Sequence, residues 1–151
     1  MSSIGGISLY LCLALTLVAA IWDIRTRRIP NWLNAAIAVT AIVAAFATGS
    51  FTALGLNALH ALVALIIGMA LFAAGMIGAG DAKMYSSAAF AIAPAKALTM
   101  LGWTSVIGLV VLIGMYVGKR IAGIPIKKDG KSFTLPYGVP IAAGFWLTIL
   151  L

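Results

Sequence analysis

Apolar runs occupy almost the whole chain, at residues 4–22, 32–48, 54–77, 84–95, 97–118 and 135–151. A water-soluble fold of 151 residues leaves roughly 30% of its surface exposed and could not hide this much apolar side chain. The runs therefore read as helices in a lipid bilayer, where each segment must satisfy its own backbone hydrogen bonds. A helix needs roughly 20 residues to cross the hydrocarbon core. The first, third and fifth runs are long enough, and the second and sixth need flanking residues. The fourth, which stops at Pro94 and Lys96, is expected to be a short or tilted helix packed on its neighbours. The expectation is an all-α, polytopic membrane helix bundle of six transmembrane helices with a short fourth span. It forms one integral membrane domain over residues 1–151, with no separate soluble domain.

Charge supports this reading. Only 9% of residues are charged, and ten Lys plus Arg against three acids give +7. In a soluble chain that balance would point to nucleic acid; beside membrane spans, basic residues set topology and meet anionic headgroups. Assigning alternate loops to alternate sides gathers Arg25, Arg27, Arg28, Lys83, Lys119, Arg120, Lys127, Lys128 and Lys131 on one side, nine of the ten. That side is placed in the cytoplasm and both termini on the far face. Merging the fourth and fifth runs would put the last basic cluster on the wrong side. Trp22 and Trp32 bracket the first cytoplasmic loop as interfacial anchors. The N-terminus has no basic segment of the kind that opens a cleavable signal, so the first run is read as a retained span. The one cysteine, Cys12, is read as packing; it allows no internal disulfide and no four-cysteine zinc site, and no metal is expected.

There is no Glu, and the acids are Asp23, Asp81 and Asp129. Asp129 sits in a Lys-rich turn and reads as a solvated loop residue. Asp23 and Asp81 abut apolar runs, where an ionisable group is costly. Two crossings separate them, so both fall at the cytoplasmic face and can meet. Two facing carboxyl groups share one proton. The charged one can then deprotonate a water while the neutral one protonates a scissile carbonyl, with no metal or cofactor. The plainer reading pairs Asp23 with Arg27 or Arg28 and makes Asp81 a cap of the fourth helix. Gly78 and Gly80 around Asp81 permit close approach of another chain, and Pro30 forces a break before the second span. His60, in the third run, reads as a packed histidine, whereas Tyr85 and Tyr137 lie near enough to line a site.

The segment DIRTRRIPN at 23–31 together with GAGDAK at 78–83 resembles the bacterial prepilin peptidases, membrane aspartic proteases of the GxGD type. The stretch LPYGVPIAAG at 135–144 is similar to the proline, aromatic and glycine segment that opens that family's last span. The resemblance implies that Asp23 and Asp81 are catalytic and that Gly78, Gly80, Lys83, Pro30 and Asn31 support the motifs. It also implies the substrate, a type IV prepilin with a basic leader and an apolar helix, cleaved at the cytoplasmic face of a bacterial inner membrane for pilus assembly. Arg27, Arg28, Tyr85 and Tyr137 are candidates to contact it. Longer members of the family carry an N-terminal domain with paired CxxC motifs and also methylate the product. This chain has one cysteine and is similar instead to the short Flp/Tad-type branch, so peptidase activity without zinc-binding or methyltransferase domains is expected. Two alternatives stay open. One is a small transporter or channel using the acids as a relay; the other is a non-catalytic pilus-assembly subunit. The sequence does not fix the oligomeric state.

Overall fold

A computed structural model describes residues 3–123 and 135–151. Pro125, Lys127, Lys128, Asp129 and Lys131 of the last basic loop lie outside the described residues. The order is α1 (Ser3–Thr26), α2 (Asn31–Thr48), α3 (Phe51–Ala73), α4 (Ala79–Ala89), a 3₁₀ turn (Pro94–Lys96), α5 (Ala97–Ile121) and α6 (Gly138–Leu150). No strand occurs among the described residues.

Local chemistry explains the breaks. The Thr26 hydroxyl lies 3.0 Å from the Trp22 carbonyl and 2.9 Å from that of Arg28, folding the chain back on the end of α1. Arg27 then takes a left-handed conformation (φ 56°) and donates its N–H to the Asp23 carbonyl at 2.8 Å, closing the helix. Pro30 starts α2, its carbonyl accepting from Leu33 and Asn34. Ser50 caps α3 by accepting from the Ala53 N–H. These connections are so short that α1 packs on α2, and α3 turns back through Gly75 (φ 73°) to pack on α4.

Three segments, Ile4–Thr26, Phe51–Ala73 and Pro94–Ile121, are long and apolar enough to cross a membrane; Asn31–Ala47 and Gly138–Leu150 are shorter apolar helices. The described residues thus form a bundle of six α-helices with at least three membrane-spanning candidates. The fourth helix differs in register from the apolar run at 84–95. It begins at Ala79, ahead of that run, because the glycine segment starts it at Gly78, and it ends at Ala89, before the Pro94 turn. Its eleven residues span about 16 Å, half the hydrocarbon thickness. α4 sits among α1, α2, α3 and α6, whereas α5 packs on α6 at the periphery and turns Leu98, Leu109, Val110 and Ile113 outward. In a bilayer those residues meet acyl chains.

The core is built on Cys12, Leu33, Ile37, Met84, Ile92, Met100 and Phe145, all fully buried. α3 grips α4 along its length. Gly68 lies so close to Ala82 that a Cβ there would come within 2.8 Å of the alanine Cβ. The Ser86 hydroxyl donates to the Ala61 carbonyl at 2.7 Å. Asn57 donates to the Phe90 carbonyl, and the His60 Nδ1 lies 3.0 Å from the Ile92 carbonyl; since a carbonyl only accepts, that nitrogen carries the proton. His60 therefore holds the chain just beyond α4. Lys96, the one basic residue assigned to the far face, donates to the Thr148 carbonyl in the last turn of α6, where a cation suits the helix dipole.

The α5–α6 contact depends on Gly144, where a Cβ would meet the Thr104 backbone nitrogen at 2.8 Å. Backbone cannot swing aside, so Gly144→Ala is expected to cost about 1–3 kcal/mol by overpacking, read as a lower thermal midpoint in detergent.

Candidate active site

Asp23 lies in the last turn of α1 and is 5% exposed. Its Oδ2 accepts the backbone N–H of Gly138 at 3.0 Å, at the first residue of α6. The positive end of that helix faces the carboxylate. Gly138 must be glycine for this approach, because a Cβ would stand 3.0 Å from the Asp23 Cβ and 3.1 Å from Oδ2. The Arg27 guanidinium also acts electrostatically on Asp23.

Asp81 is the third residue of α4, and its Oδ2 accepts the N–H of Gly78 at 3.1 Å. It does cap its own helix, as the plainer reading of the sequence held, but it does more. It is partly buried and interacts with the charge of Asp23. The two acids are therefore close enough to feel one another's charge.

The segment between α1 and α2 joins the two halves. Gly80 lies flat against residue 29; a Cβ there would sit 3.3 Å from the Ile29 Cβ and 3.4 Å from its backbone nitrogen and oxygen. Lys83 donates its ammonium to the Asn31 Oδ1 at 2.9 Å, and Asn34 donates its amide to the Gly80 carbonyl at 3.3 Å. Of the residues expected to support the motifs, Gly78, Gly80, Lys83, Pro30 and Asn31 all lie in this clasp. Trp22 and Trp32 meet edge to face, with centroids 6.1 Å apart, across the same loop. Arg27 and Arg28 are exposed, and Tyr85 and Tyr137 pack against the core with partial exposure. A groove of about 390 Å³ runs along the outer face of α1, lined by Val18, Ile21, Trp22, Arg25 and Thr26. Among the described residues no three His, Cys, Asp or Glu side chains converge as a metal site would require.

Two residues were not singled out as site residues: Gly138, although it lies in the LPYGVPIAAG segment, and Asn34. Gly138 stands 115 positions from Asp23, and no local pattern links them. Asn34 left a signal: an amide inside an apolar run needs a partner.

Two carboxyl groups with coupled charges, each resting on a main-chain N–H, can share a proton and polarise a water between them. The profile of the type IV leader peptidase family matches residues 10–113, which include both aspartates and the whole clasp. The chain belongs to the type IV leader peptidase family. No curated protein and no solved structure matches it. Membership makes the protein a prepilin leader peptidase of aspartic type, and its long apolar helices make it a membrane protein.

Proposed function

We propose that this peptidase removes the leader of type IV prepilins of the Flp class, with Asp23 and Asp81 as its reacting pair, at the cytoplasmic face of a bacterial inner membrane. The observation that carries the reading is the electrostatic coupling of Asp81 to Asp23, inside the region that matches the family. A relay for transport would string its acids through the depth of the bundle; here Asp23, in the last turn of α1, and Asp81, in the first turn of α4, are near enough to interact. A scaffold subunit would have no need of either. All six helices cross the bilayer in this reading, α4 in a thinned or tilted setting, and the nine clustered basic residues put the acids on the cytoplasmic side. The ionised aspartate takes a proton from water as its oxygen attacks the scissile carbon, and the neutral one protonates the carbonyl oxygen. The gem-diol then collapses as one hydroxyl proton returns to the second acid, the first protonates the amide nitrogen, and the C–N bond breaks to release the amine. Arg27, Arg28, Tyr85 and Tyr137 flank the pair and contact the substrate.

The test is co-expression with Flp-class prepilins and, separately, with prepilins of other type IV classes, with leader removal read by mass spectrometry. Cleavage confined to the Flp class supports the reading, and cleavage of none overturns it.

A further inference from the structure

Asn34 is 4% exposed, on the face of α2 that packs against α4. Its amide nitrogen reaches the Gly80 carbonyl, and its oxygen is buried without a hydrogen-bond partner. A half-satisfied amide is a poor way to hold two helices together, since an apolar side chain of the same size would pack there without leaving an acceptor empty. Its chemistry is spent on one atom. The Gly80 carbonyl belongs to the peptide plane whose N–H is that of Asp81, so a donor fixed on that oxygen sets the plane and, with it, the direction in which the Asp81 side chain leaves the backbone. On its other side Gly80 abuts the Ile29 backbone. The Lys83–Asn31 tether is exposed and weakened by solvent, which leaves Asn34 as the buried polar link between α2 and the 78–83 turn.

We propose that Asn34 is a positioning residue for Asp81, acting through the Gly80 carbonyl. The proposal rests on the reading of Asp23 and Asp81 as the reacting pair. A matched control lies on α3: Asn57, also buried, donates to the Phe90 carbonyl just past the far end of α4. Asn34→Leu and Asn57→Leu each delete one buried amide-to-carbonyl bond and keep the side-chain volume.

Both variants are compared in the full chain in detergent, by two readouts. In cleavage of a prepilin, Asn34→Leu is expected to lower kcat about tenfold with KM within about twofold, while Asn57→Leu keeps kcat per folded molecule. In carbon NMR of aspartate-labelled protein, the three Asp and absent Glu leave only three side-chain carboxyl signals to assign. Asn34→Leu should move the Asp81 titration midpoint and Asn57→Leu should not. If the two variants behave alike in both readouts, Asn34 is only packing and the proposal fails. If the wild type cleaves no prepilin, the peptidase reading fails, yet the titration still decides whether Asn34 governs Asp81. Should Asn34→Leu not accumulate in membranes, Asn34→Ser, too short to reach Gly80, is judged by the same criteria.

Discussion

Asp23→Asn and Asp81→Asn are each expected to reduce leader removal by at least about a thousandfold, with insertion and helix content unchanged. Asparagine keeps the shape of the carboxyl group, and its oxygen can still accept the Gly138 or the Gly78 N–H, so the local fold has no reason to change. What disappears is the proton that the pair passes to and from the substrate. The two losses should not add in the double variant, because removing either acid already ends the shared chemistry. Mass spectrometry of a co-expressed prepilin gives the rate, and circular dichroism of the purified variants gives the fold. Retained cleavage in either single variant removes that aspartate from the mechanism.

Gly138→Ala carries the second-largest expected effect. One methyl group placed 3.0 Å from the Asp23 Cβ forces the α1–α6 contact apart by a few tenths of an ångström and turns the carboxylate off its donor. Misplacement on that scale costs a reacting group about ten- to a hundredfold in rate, and the loss should fall on kcat while KM holds. Gly114→Ala is the control: nothing lies within 4 Å of that position, so its rate should match the wild type. Equal rates for the two variants would mean that Asp23 does not depend on α6.

The helices were legible because apolar runs are long and breaks are marked by Pro30 and Pro94, although the third run, read as 54–77, is a helix over Phe51–Ala73. The start of α4 was not, because Gly78, Ala79 and Gly80 carry no apolar signal, and it is capping by Asp81 that turns them helical. The same division holds at the site. Asp23, Asp81 and the glycines between 78 and 80 announce themselves through cost, as ionisable and flexible residues beside lipid. Gly138 acts through its own main-chain N–H and Asn34 through the main-chain carbonyl of Gly80, and a main-chain group leaves no trace in residue identity. Lys96 shows the converse. As the basic residue on the far face it looked like an exception to the charge rule, and its contact with the Thr148 carbonyl supplies a local reason for the exception.

The chain between α1 and α2 has one further consequence. Surface connections are where proteins usually accept epitope tags, inserted domains and new termini. Here residues 27–30 act as a spacer of fixed length: one end closes the helix that carries Asp23, and the Ile29 backbone is the surface on which Gly80 rests. Lengthening the spacer by one residue would separate the two acids while leaving both of them in place. The turn at Gly49 and Ser50, exposed and remote from the clasp, is the place to open this molecule for labelling.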